Sequence, residues 1–172
     1  MTAWVALIRA VNVGGTGKLA MADLRTIGVA AGFAHVRTYI ASGNLLFEAD
    51  GDEAAIRIAL EEPLSGHLGT PVRVILRDAA ALDAVLAANP FPDSAPNRTV
   101  VVFFDAGPAP DTMDRVTGRG EERIALGDRE IWIDYGGAMR DSKLRVPGAE
   151  AGTARNLNTV AKLAAMAREP AP

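Results

Sequence analysis

The apolar positions of this chain fall into short runs and helical stripes that alternate along its length. Trp4 to Ile8 is a continuous apolar run closed by Arg9 and predicts a buried first strand. After the glycine-rich segment Gly14-Gly15-Thr16-Gly17, which reads as a loop, Met21, Leu24, Ile27, Gly28 and Ala31 recur at helical spacing, with Gly32 placed to end the helix. Val36 to Ile40 and Leu45 to Phe47 are strand-like, and Ser42-Gly43-Asn44 between them is hairpin chemistry. Asp52 is placed to cap a second helix reaching about Leu64, with Ile56, Ala59, Leu60 and Leu64 as its apolar stripe. Val72, Val74 and Leu76 then alternate with Arg73, Ile75 and Arg77 as a fourth strand. The order is β-α-β-β-α-β, the split βαβ or ferredoxin-like unit.

The second half repeats the rhythm. Asp78 predicts a capped helix to about Ala88, and the proline-rich stretch from Asn89 to Pro96 breaks the chain before the apolar strand Val100 to Phe104. A short helix over 111–116 follows, then strands near 123–126 and 130–135 joined by a turn at Gly127-Asp128, and a last helix over about 155–167. The expectation is therefore an α+β chain of two ferredoxin-like subdomains in tandem, 1–77 and 78–172, the second lacking its last strand.

Composition narrows the chemistry. A chain of 172 residues buries roughly 70% of its extended surface, so a core forms without staples. There is no cysteine, which excludes disulfides, thiolate metal sites and cysteine nucleophiles. The two histidines, His35 and His67, stand in no metal-ligand spacing, and neither a metal nor a cofactor is expected. The N-terminus has no basic segment before its apolar run, and no run approaches the ~18 residues of a membrane span, so a cytoplasmic protein without a membrane partner is expected. A formal net charge of -3 and a pI near 5.4 argue against a broad electrostatic footprint for nucleic acid.

Three of the 18 basic residues are lysines, and each lies in an unusual segment: Lys18 after the glycine run, Lys143 in Asp141-Ser142-Lys143-Leu144, and Lys162 near the end of the last helical pattern. Strand, glycine-rich loop, lysine and helix form the layout of a phosphate-binding loop. The strict pattern fails, because it would need glycine at Asn12 and a hydroxyl at Leu19. The dinucleotide fingerprint is met in form by Gly15, Gly17 and Ala20, but no acidic residue follows near Ile40 to hold a ribose. No G-x-S-x-G frame surrounds Ser42, so a serine hydrolase is not indicated, and Glu61-Glu62 and Glu121-Glu122 read as solvated charge.

On the last helix, 100° spacing groups Arg155, Asn158, Thr159 and Lys162 on one face, with Thr153 as N-cap and Asn156 in the first turn. Arg155 would then stand beside the positive end of a helix dipole, a placement that calls for an anion or a carboxylate nearby.

These segments resemble the bacterial family called domain of unknown function 1697. The resemblance rests on Ala6-Leu-Ile-Arg9-Ala-Val-Asn12-Val-Gly14-Gly15, Met21-Ala-Asp-Leu24, Val36-Arg-Thr-Tyr-Ile-Ala-Ser42-Gly43-Asn44, Asn89-Pro-Phe-Pro92, Ser142-Lys143-Leu144 and the stretch from Thr153 to Leu163. Ala10 and Leu157 stand where the family often has glycine and tryptophan. The resemblance implies a cytoplasmic α+β protein with ferredoxin-like parts, and it carries no established activity or catalytic residue.

The leading expectation is that Arg9, Asn12, Gly14, Gly15, Lys18, Ser42, Gly43, Asn44, Lys143, Arg155, Asn156, Asn158, Thr159 and Lys162 form one pocket for a small anionic, phosphate-bearing or nucleotide ligand. A group-transfer enzyme using lysine electrostatics is one alternative. A single-stranded nucleic-acid module is another, although the aromatic-rich pattern of such sheets is missing. The third is a structural protein whose polar motifs are buried networks. Oligomeric state is left open by the sequence.

Overall fold

A computed structural model describes residues 1–12 and 17–169. The chain divides into two compact units, one made of Met1–Asp83 with Leu163–Pro172, the other of Ala84–Lys162.

In the first unit β1 (Thr2–Ile8), α1 (Met21–Ala30), β2 (Ala34–Thr38), β3 (Asn44–Ala49), α2 (Glu53–Leu68) and β4 (Val74–Asp78) follow in the expected order. The strands form an antiparallel sheet in the order β2-β3-β1-β4. One set of alternating strand residues, among them Ala6, Ile8, Leu45, Phe47, Val74 and Leu76, packs with Leu24, Ile56, Leu60 and Leu64 of the two helices as a single apolar core. Asp52 caps α2 as its sequence predicts, its carboxylate accepting from the Ala55 N–H at 2.8 Å, and Gly69 ends the helix at φ 68°. The helix runs past the expected Leu64 to Leu68 and carries Pro63 within it. β2 is bulged: its register shifts between Ala34 and Arg37, where His35 adopts φ 52°.

α3 (Ala79–Ala87) starts behind Asp78, whose carboxylate accepts from the Ala81 N–H at 2.7 Å. The second unit then builds β5 (Thr99–Phe103), β6 (Arg123–Leu126), β7 (Glu130–Asp134) and β8 (Thr153–Asn156) into an antiparallel sheet in the order β6-β7-β5-β8. Its core joins Val100, Val102, Ile131 and Ile133 to Phe104 and Val146. The expected short helix over 111–116 is a 3-10 turn at Thr112–Arg115.

Three expectations for the end of the chain are corrected. The second sheet does not lack a fourth strand, since β8 pairs along β5 from Thr153↔Phe103 to Asn156↔Val100. The last helix, α4, spans Leu157–Arg168 and begins two residues after Arg155, which is therefore a strand residue opposite Val101 and not part of a helical face. The strand forms because β5 offers a ladder of main-chain partners, a tertiary effect that outweighs the helical appearance of the sequence. α4 is capped by Asn156, not Thr153: the Asn156 Oδ1 accepts from the Thr159 N–H at 2.9 Å. Among the described residues, no helix is long and apolar enough to cross a membrane.

Candidate functional site

At one end of the first sheet the chain leaves β1, turns from β2 into β3, and enters α1. The main chain stitches these segments side by side. The Ile8 N–H donates to the Gly43 carbonyl at 2.9 Å, the Arg9 N–H to the Arg73 carbonyl at 3.0 Å, and the Asn12 N–H to the Gly17 carbonyl at 3.1 Å.

Asn12 fastens the three segments with its side chain. Its amide nitrogen donates to the Leu19 carbonyl at 2.8 Å and the Ala41 carbonyl at 2.9 Å, and its amide oxygen accepts from the Leu19 N–H at 2.9 Å. Both ends of the glycine-rich connection, and the β2–β3 turn, thus meet on one side chain. Asn44 does the same inside the turn. Fully buried, it donates to the Tyr39 carbonyl at 2.8 Å and to the Ser42 hydroxyl at 3.0 Å.

The backbone here is unusual. Ala10, Asn12 and Ile40 adopt φ values of 55°, 56° and 50°, and Gly43 adopts 87°. Left-handed conformation is uncommon outside glycine and asparagine, and for a β-branched residue such as Ile40 it is an outlier that persists only where surrounding contacts over-determine it. Asn44 holds the Tyr39 carbonyl on one side of Ile40 and Asn12 holds the Ala41 carbonyl on the other, which supplies that over-determination. Gly43 is required sterically, because a Cβ there would lie 2.7 Å from the Val11 Cγ2.

α1 opens from this corner. Its N-cap position is Ala20, which offers no side-chain hydrogen bond, and the exposed Lys18 lies just before it. Asp23 in the first turn lies 3.5 Å from His67 of α2. Gly14 and Gly15, expected in the loop, lie outside the described residues.

The remaining expected residues belong to the second unit. Lys143 is exposed on a segment anchored by its neighbour Ser142, whose hydroxyl donates to the Glu122 carboxylate. Glu122 also accepts from the Gly120 N–H at 2.6 Å. The Ser142 hydroxyl, followed by main-chain donors and the Arg119 charge, holds this carboxyl below the usual glutamate range against the opposing effect of burial. Tyr135 is pushed up by its burial and by the nearby Glu122 charge. Glu122 is thus a buried group where the sequence suggested solvated charge, and only Glu121 of that pair is exposed.

Arg155 is buried on β8, donating to the Thr153 hydroxyl at 2.7 Å and the Ala154 carbonyl at 2.9 Å, and burial lowers its pKa to about 10. Asn158 and Lys162 are exposed on α4, whereas Thr159 is buried, so the expected four-residue polar face reduces to two. Asn156 is occupied as the helix cap.

A second polar cluster, not anticipated from sequence, centres on the buried Asp134. It accepts from the Ser94 hydroxyl at 2.6 Å, Arg123 Nε at 2.9 Å and the Gly136 N–H at 3.0 Å. Arg123 also reaches Asp93 and lies over the Phe91 ring, 4.7 Å from its centroid. Burial pushes the Asp134 carboxyl up, but the hydrogen bonds from Ser94, Arg123 and Gly136 together with the Arg123 charge outweigh it and leave the group below the usual aspartate range. The Asn89-Pro-Phe-Pro92 motif serves this packing: the Asn89 side chain accepts from the Phe91 N–H at 2.9 Å and Phe91 is buried. Among the described residues, no group of three or more histidine, aspartate or glutamate side chains is arranged to hold a metal ion.

No curated protein matches the chain. A solved structure described as that of the conserved bacterial protein SP0830 from Streptococcus pneumoniae is similar to it, with a TM-score of 0.81 and 26% identity over 97% of this chain and 99% of that one. Residues 1–132 match the family model described as Protein of unknown function (DUF1697), and the chain belongs to that family.

Proposed function

We propose that the corner between β1 and α1 of the first unit binds a small anionic ligand bearing a phosphate group, nucleotides included. The observation that carries this reading is the start of α1, which follows Lys18 and opens at Ala20 with no side-chain cap. Helix N-terminal N–H groups left without a side-chain partner, together with the helix dipole, favour an anion. Arg9 and Lys18 supply charge. Asn12, Ser42, Gly43 and Asn44 act as positioning residues, since the amides of both asparagines are engaged within the protein. Gly14 and Gly15 belong to the proposed loop by their sequence alone. Lys143 and the residues from Arg155 to Lys162 lie in the other compact unit, and the proposal does not draw on them.

A thermal-shift screen against orthophosphate, pyrophosphate, sugar phosphates and nucleotides tests the reading. A ligand at about 100 times its Kd adds roughly 2.7 kcal/mol of stability. The expected outcome is a shift in the wild type that Lys18→Ala abolishes; no shift with any of these compounds overturns it. The structural alternative is favoured by the same asparagine bonds, and it predicts no shift together with a large loss of stability in Asn12→Ala. We further read the shared strand order, β2-β3-β1-β4 and β6-β7-β5-β8, as two ferredoxin-like units in a cytoplasmic protein.

A further inference from the structure

We propose that the Asp50–Gly51 junction is a site of spontaneous isoaspartate formation, and that aged copies of the chain are substrates for a methyltransferase that recognises the isoaspartyl carboxylate. The junction lies in the short connection between the end of β3 at Ala49 and Asp52, the residue that caps α2. The chemistry is an isomerisation in two steps. The Gly51 nitrogen attacks the Asp50 Cγ, an N–C bond forms, and the amide hydrogen leaves with the carboxyl hydroxyl as water. Water then opens the resulting cyclic imide. Cleavage at the former side-chain carbonyl restores aspartate, whereas cleavage at the former main-chain carbonyl leaves the chain running through Cβ and Cγ. The water released in the first step is matched by the water consumed in the second, so no oxidant or other reactant is required.

The attacking group is unhindered. Asp50 is the only aspartate or asparagine in the chain that glycine follows, so here alone no Cβ on the attacking residue crowds the ring. A Cβ built at Gly51 would meet nothing within 4 Å, so the space around it is open. Among the described residues no hydrogen bond holds the Gly51 N–H, and none has to break before it turns toward the carboxyl. Neither residue belongs to a helix or strand whose pairing would be lost. The Asp50 side chain is 83% exposed, and its ion pair with the Met1 amino group, at 3.3 Å, is a surface contact that constrains it weakly. Exposure alone does not select the site. Asp93 and Asp141 are 72% and 75% exposed, but serine follows each of them, and Asp93 is also tied to Arg123. The isoaspartyl linkage adds one carbon to the main chain just ahead of the α2 cap. It presents a free carboxylate at an exposed position, where an enzyme can reach it.

Prolonged warm incubation of the full chain tests the proposal, once folded and once unfolded in urea. The readouts are methyl labelling by an isoaspartate-specific methyltransferase and mass spectrometry with electron-based fragmentation, which locates the extra main-chain carbon. The expected result is label that accumulates with time in the folded protein, maps to Asp50 and leaves the mass before labelling unchanged. Asp50→Glu keeps the charge but needs a larger ring, and labelling is expected to fall to background; the exposed control Asp141→Glu is expected to label as the wild type does. Surface substitutions of this kind leave the fold intact. Label at Asp50 in the unfolded chain and none in the folded one would overturn the proposal, because the fold would then block the attack. Label that maps to other aspartates, or that persists in Asp50→Glu, would overturn it as well.

Discussion

A methyl group at position 43 would stand 2.7 Å from Val11 Cγ2 and 3.1 Å from Ile8 Cβ on a backbone at φ 87°, whereas at Gly32, with φ 84°, it would meet nothing within 4 Å. The two glycines share a conformation and differ only in their surroundings. Gly32→Ala carries the left-handed penalty alone, about 1–2 kcal/mol. Gly43→Ala adds the close contact with two side chains of the β1 segment and is expected to cost about 2–4 kcal/mol. Urea unfolding of the two variants measures the difference. At this scale the sequence announces that Ser42-Gly43-Asn44 is a turn, because each residue type suits one. It does not announce that Asn12 closes the turn from 29 residues away, because no local periodicity encodes a bond to the Ala41 carbonyl. Glu122 was illegible for the same reason. Beside Glu121 it looks like surface charge, and its partner Ser142 lies 20 residues on.

Elements were legible where their signals are local. Asp52 and Asp78 cap α2 and α3 as their positions predict, and the apolar runs of β1 and β5 became fully or largely buried strands. β8 is not legible in this way, because its four residues have no strand signature of their own and are extended because β5 pairs with them. α4 is likewise finished by a distant residue. Arg37 of β2 donates to the Met166 carbonyl at 2.6 Å and pairs with Glu169 at 3.3 Å, satisfying the end of the helix. Arg37→Ala is expected to speed amide exchange in the last turn of α4 and to cost about 1–2 kcal/mol. Arg168→Ala, which removes only an exposed pair with Asp83, is expected to change stability by less than about 1 kcal/mol. Hydrogen-exchange mass spectrometry of both variants separates the two cases.

For the molecule as a whole, acid is the informative perturbation. Asp134 has a folded pKa below its ordinary 3.8, so its contribution to stability is complete above the unfolded value and is lost as pH falls through the folded one. Asp134→Asn removes that contribution, and the stability gap between variant and wild type is expected to be full near neutrality and to narrow as the pH is lowered through the ordinary aspartate range and below it. Denaturant midpoints across that range test it; a gap that stays constant would show that the carboxylate charge contributes nothing. The alternation of strands and helices was readable from the chain as a regular rhythm, but the fourth strand of the second sheet was not. The membership of residues 163–172 in the first unit was not, because compactness depends on contacts that sequence order does not display. That membership has a consequence in time. During synthesis, Met1–Asp83 emerges early, but the segment that supplies the Arg37 partners Met166 and Glu169 follows only after Ala84–Lys162. At ~5–20 residues per second the delay is roughly 4–16 s. Throughout that interval the nascent first unit must persist on the ribosome without its final segment, so its last folding step is timed by the ribosome's passage through the second unit's message.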